Sequence, residues 1–198
     1  EAMPDLDRLE GIIAERLEQN ALSPAVWWKG SWMKGAEFLE LVEDTESALR
    51  VSGFGPGSRI AVFLPNSPLL WCIAVAAWKL GGAIAPLNAR SGVNASLKIV
   101  EHIDPVGAVL GDGMENLAEA LEKAGIPAVI APPVGPLPGF KGREYQKEDS
   151  DIAVIFATSG TTGAPKAVQV SHGNLIDNSL KVHENIEGFD TGRILMNV

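Results

Sequence analysis

The chain has 198 residues, 46% hydrophobic and 21% charged, which is enough apolar material for one substantial core or two small ones and excludes disorder as its main character. Twenty-five acids against 16 Lys and Arg leave a net charge of −9, which argues against a surface built for nucleic acid or anionic membrane. The single cysteine, Cys72, can form neither an internal disulfide nor a zinc knuckle, so a reducing, cytoplasmic setting is expected.

Leu6, Leu9, Ile13 and Leu17 recur at helical spacing and predict an amphipathic helix over residues 5–19 with its acids in water. This start is neither basic nor apolar enough for a secretory signal, and Met3 is a candidate native start. Residues 25–33, with Val26, Trp27 and Trp28 before Lys29-Gly30 and Trp32-Met33 after it, read as a short β-hairpin. Phe38, Leu41, Val42 and Leu49 mark a second helix that Gly53 ends, and Gly55-Pro56-Gly57 turns the chain.

From Arg59 onward short aliphatic runs alternate with helical segments. Strands are predicted at 59–64, 84–87, 108–110, 128–130 and 152–157, and helices at 67–80, 94–103 and 114–123. Strands with so little polar alternation belong to a parallel sheet covered on both faces, so the fold class is α/β with right-handed crossovers. The longest apolar stretch, Leu69 to Trp78, has 10 residues and stops at Lys79, whereas a bilayer span needs about 20. It reads as a buried helix.

Residues 131–150 carry Pro132, Pro133, Pro136 and Pro138 and then a mixed-charge run, the composition of a connector between lobes. The expected organisation is a first α/β subdomain over 1–130, a connector over 131–150, and the start of a second subdomain over 151–198. Ile194 to Val198 looks like another apolar strand, as if the fold continued past it.

The chemistry concentrates in Thr158-Ser159-Gly160-Thr161-Thr162-Gly163-Ala164-Pro165-Lys166, where nine residues hold four hydroxyls, two glycines and one lysine. Glycines let a backbone turn sharply and bring its amides close to an anion, hydroxyls add donors, and Lys166 adds a positive charge. The set fits phosphate. It is not a Walker loop, because Gly163 is not next to the lysine and Ala167 stands where a magnesium-binding hydroxyl is required. On composition alone, a plain polar loop between strands explains it equally well.

With its continuation Ala167-Val168-Gln169-Val170-Ser171-His172-Gly173-Asn174-Leu175, the segment resembles the signature of adenylate-forming enzymes: acyl-CoA synthetases, luciferases and peptide-synthetase adenylation domains. Upstream, Gly55-Pro56-Gly57-Ser58-Arg59-Ile60-Ala61, and Trp78-Lys79-Leu80-Gly81-Gly82-Ala83 leading to Ala85-Pro86-Leu87-Asn88, resemble the earlier blocks of that family in order and spacing. Ala167 replaces the usual glycine and Ser171 the common threonine. The resemblance implies ATP and Mg2+, a carboxylic acid and coenzyme A as reactants. It also implies that Thr158, Ser159, Gly160, Thr161, Thr162, Gly163 and Lys166 bind the β and γ phosphates. The family's adenine pocket and catalytic lysine would lie beyond Val198, so the chain is expected to be the N-terminal portion of a longer ligase and inactive by itself. An acyl-CoA synthetase is favoured by Phe156-Ala157 ahead of the loop, where adenylation domains of peptide synthetases more often carry tyrosine. That domain type and a non-catalytic nucleotide-binding module are the alternatives.

His102, His172 and His183 share no metal-ligand spacing and are expected to be surface or capping residues. Cys72 reads as a buried, inert thiol, and Trp27, Trp28 and Trp32 read as hairpin packing in preference to an acyl site.

Overall fold

The computed structural model describes residues 8–144, 151–159 and 165–185. Helix α1 (Leu9–Gln19) is followed by a hairpin of β1 (Pro24–Trp28) and β2 (Ser31–Lys34) and by helix α2 (Gly35–Val51). At the hairpin turn Lys29 and Gly30 both take positive φ, 44° and 92°, the combination whose twist matches two paired strands. Trp27 lies opposite Trp32 with ring centroids 5.3 Å apart, so these aromatics pack on each other across the hairpin as the sequence predicts. The Lys34 amide donates to Glu37 at 2.8 Å and fixes the start of α2.

The alternating part of the chain then lays down β3 (Arg59–Phe63), α3 (Pro68–Lys79), β4 (Ala83–Pro86), α4 (Val93–Ile103), β5 (Gly107–Leu110), α5 (Glu115–Lys123) and β6 (Ala128–Ile130). Two further strands, β7 (Ile152–Ser159) and β8 (Pro165–Ser171), precede α6 (His172–Asn185). The six strands β3–β8 form one sheet in the order β6-β5-β3-β4-β7-β8, parallel except for β8, which runs antiparallel to β7. The sequence predicts no strand over residues 167–170, and the structure makes them part of β8. Parallel neighbours need a long crossover, but this connection is short, so the chain folds straight back.

Successive strand residues feed two cores. Ile60, Val62, Ile84 and Val109 join α2 and α3 on one face, while Ala61, Phe63, Ala85 and Leu110 join α4 and α5 on the other. Covering both faces is what permits strands without polar residues. In α3 every residue but Trp71 and Lys79 is buried, Ser67 caps the first turn by accepting from the Leu70 amide, and Pro68 occupies the position where no amide is needed. Cys72 is fully buried here, and burial pushes its thiol up to about 12. Gly82, in the turn behind α3, has no room for a side chain: a Cβ would stand 2.5 Å from the Phe54 ring and 2.6 Å from the Ser58 carbonyl.

The described part of the Pro-rich segment, 131–144, has no regular structure yet lies on the core. Ala131 and Leu137 are buried, the Phe140 ring covers Gly107, the Gly142 amide donates to the Ser52 carbonyl at 3.0 Å, and Arg143 pairs with Asp104. Among the described residues no helix is long and apolar enough to cross a membrane. Met3 and the expected strand at 194–198 lie outside the described residues.

Candidate functional site

The signature segment is built onto the β7–β8 hairpin. Its strands begin inside the sheet: Val154 is buried and pairs with Ile84 of β4 and with Val170 of β8. Two residues on, Phe156 and Val168 face each other and are 44% and 45% exposed. Two residues further, Thr158 lies opposite Lys166, both exposed, and Ser159 lies opposite Pro165. The hairpin therefore climbs out of the core and carries a hydroxyl and an ammonium group side by side into solvent. Gly160, Thr161, Thr162, Gly163 and Ala164 lie outside the described residues.

This end of β7 is also the carboxyl end of its parallel neighbours, the edge where open α/β sheets bind ligands. A cleft of about 370 Å3 opens at the same edge between the ends of β3 and β5, lined by Leu64, Pro65, Gly111, Asp112, Met114 and Pro133. Among the described residues no three of His, Cys, Asp and Glu gather as a metal site.

The two departures from the signature have local accounts. Ala167 is half-buried in β8, opposite Ala157, and packs toward the core formed with α4 and α5. The Ser171 hydroxyl accepts from the Asn174 amide at 3.1 Å and caps α6, which a threonine hydroxyl would do equally.

The next residue corrects an expectation. His172, expected at the surface or in a capping role, is fully buried, whereas His102 is exposed on α4 and His183 lies on α6. The His172 amide donates to the Asp151 carbonyl at 3.0 Å, and its ring meets Trp78 of α3 edge-on at 5.8 Å. The Trp78 indole in turn donates to the Ala153 carbonyl of β7 at 2.8 Å. Around the imidazole stands the first turn of α1: Arg8 Nη2 is 3.1 Å from Nε2, the Leu9 amide 3.3 Å from Nδ1, and Glu10 Oε2 3.5 Å from Nδ1. Arg8 also binds Glu10 Oε1 at 2.7 Å and approaches Asp151 at 3.7 Å. Sequence reasoning missed this cluster because its members are about 160 residues apart and follow no local pattern.

Over residues 13–197 the chain matches the family described as AMP-binding enzyme, and it belongs to that family. It is 29% identical to a feruloyl-CoA synthase from an Amycolatopsis species over 188 residues, covering 88% of this chain and 36% of that protein. It is 25% identical over 197 residues to gramicidin S synthase 2 from Aneurinibacillus migulanus, covering 96% of this chain and 4% of the synthase. Among solved structures, a benzoate CoA ligase from Burkholderia xenovorans LB400 shares the fold with a TM-score of 0.76 at 20% identity, over 92% of this chain and 38% of the ligase. The chain thus spans a minor share of the length of each of these proteins, and it is a member of the adenylate-forming enzymes.

Proposed function

We propose that the chain carries the pyrophosphate-gripping part of an AMP-forming carboxylate–CoA ligase. A carboxylate is a poor acyl donor because its leaving group would be oxide. In the proposed reaction it attacks the α-phosphate of ATP, giving acyl-adenylate and pyrophosphate, and the thiol of coenzyme A then displaces AMP. Bringing a carboxylate against a triphosphate is opposed by charge repulsion, which fixed donors and cations must offset. That task is assigned to Thr158, Ser159, Gly160, Thr161, Thr162 and Gly163 as donors to the β and γ phosphates and to Lys166 as the neutralising charge.

The observation that supports this reading is the register of Thr158 opposite Lys166 at the exposed end of the hairpin, on the carboxyl edge of the parallel strands. Hydroxyls, glycine amides and an ammonium group form a donor set suited to an anion; Mg2+ bound with the triphosphate would neutralise further charge, and its carboxylate ligands are assigned to the longer parent. The similarity to a feruloyl-CoA synthase over most of the chain supports a carboxylate–CoA ligase, with cytoplasmic location and fatty-acid substrates as extensions of the same reading. A peptide-synthetase adenylation domain is the second reading, supported by the match to gramicidin S synthase 2 across 96% of the chain.

In the parent enzyme, Lys166→Ala should lower acid-dependent ATP–pyrophosphate exchange by roughly 100-fold, the order found when one transition-state donor is removed. Thioester formation from supplied acyl-adenylate should change far less. Equal loss in both half-reactions would remove the pyrophosphate role. The isolated 198 residues should show no ATP–pyrophosphate exchange with a panel of acids, and measurable exchange would overturn the assignment of catalysis to the longer parent.

A further inference from the structure

The β7–β8 ladder slips at its root. Ile152 lies opposite Ser171 and Val154 opposite Val170, so two steps along β7 match one along β8, and Ala153 is the extra residue of a β-bulge. A bulge bends its strand and sharpens the local twist, which re-aims whatever the strand carries beyond it. Here that is the exposed end of the hairpin, with Thr158 opposite Lys166.

One side chain of α3 grips this bulge. Trp78 is only 6% exposed, and its indole Nε1–H donates to the Ala153 carbonyl at 2.8 Å. The same ring meets His172, the residue that follows β8, edge-on at 5.8 Å. The His172 amide closes the hairpin below the bulge by donating to the Asp151 carbonyl at 3.0 Å. A single indole therefore ties the root of β7 and the end of β8 to a helix that is itself buried in the core. Ala153 is fully buried, so a carbonyl that loses this donor gains no water in exchange.

The root works as a lever on the tip. Thr158 stands five residues beyond Ala153. With a rise of about 3.3 Å per residue that is about 16 Å, so a tilt of about 10° at the bulge moves the tip by about 3 Å. Misplacement of a positioned group by about 1 Å can cost about 100-fold in rate. We propose that Trp78 is a positioning residue for the adenylation step, holding the bulge at the angle from which Thr158 and Lys166 reach the β and γ phosphates. This rests on the ligase reading of the hairpin end. Trp78 acts at the root and through the hairpin, not by contact with a reactant.

In the parent enzyme, Trp78→Phe keeps an aromatic ring in the core and removes the indole N–H. Acid-dependent ATP–pyrophosphate exchange should fall about tenfold, while thioester formation from supplied acyl-adenylate should change less than about threefold. In the Lys166→Ala background the charge to be placed is gone, so adding Trp78→Phe should lower exchange by less than about threefold further. A loss of folded enzyme would instead lower both half-reactions alike and by the same factor in both backgrounds. Either of those results, or unchanged exchange in Trp78→Phe, would overturn the proposal. Lys166→Ala by itself separates the two readings. If it lowers exchange and Trp78→Phe does not, only the role of Trp78 falls; if Lys166→Ala is without effect, the pyrophosphate role falls and that of Trp78 with it.

Discussion

The parallel centre of the sheet and the antiparallel hairpin at its flank are made of similar residues put to opposite uses. In β3, Ile60, Ala61, Val62 and Phe63 are all at most 1% exposed, since α3 covers one face and α4 and α5 the other. In β7 the same aliphatic character holds through Ile155, and then Phe156 is 44% exposed. The centre is held by packing, with Ile60 to Phe63 closed off from solvent. The hairpin starts from that packing and leaves it within a few residues, so its tip can present Thr158 and Lys166 while its root stays fixed. A rigid base under an exposed end is what placing donors around an anion requires.

Large-to-small substitutions separate the two regions most directly. Phe63→Ala should lower unfolding free energy by about 3–5 kcal/mol, while Phe156→Ala should cost less than about 1 kcal/mol, because only a buried side chain leaves a cavity. Urea unfolding of both variants measures the difference. Equal losses would mean that the hairpin is packed as firmly as the centre. Next in size is Gly82→Ala, where the added Cβ would lie 2.5 Å from the Phe54 ring and must displace it or the turn. A cost of about 1–3 kcal/mol is expected by the same assay, the range for overpacking a filled core.

The centre is legible in the sequence because burial on both faces leaves the interiors of its strands without polar residues. Arg59–Phe63, Gly107–Leu110 and Ala128–Ile130 stand where the aliphatic runs placed them, to within a residue or so. The hairpin was half legible. Its first strand continues the aliphatic rhythm, but Lys166 to Ser171 mixes charge, amide and hydroxyl with small apolar residues, and such a strand is fixed by its partner more than by its own pattern. Thr158, Ser159 and Lys166 stand out by composition and resemblance, which carry chemistry and not geometry; their register comes only from the paired strands. The burial of His172 has no local signal, because it depends on distant residues, here the start of α1.

Electrostatics contributes less to holding the packed centre. On the outer seam of the packed centre, Glu46 of α2 accepts from Arg50 at 2.6 Å and from Lys79 of α3 at 2.7 Å. Burial pushes its carboxyl up, but the hydrogen bonds from Lys79 and Arg50 and their charges more than offset this and hold it below the ordinary carboxylate range. A depressed folded-state value means that the tether contributes in full above the unfolded-state pKa of about 4.3 and fades as pH falls through the lower folded-state value. Glu46→Gln should therefore cost about 0.5–1 kcal/mol at pH 7 and nothing near pH 2, measured by urea unfolding at both values. A cost unchanged at pH 2 would show that shape, not charge, joins α2 to α3 at this point. Either way the effect stays well below that of Phe63→Ala, because the two helices meet through buried apolar residues and the ion pair lies at their rim.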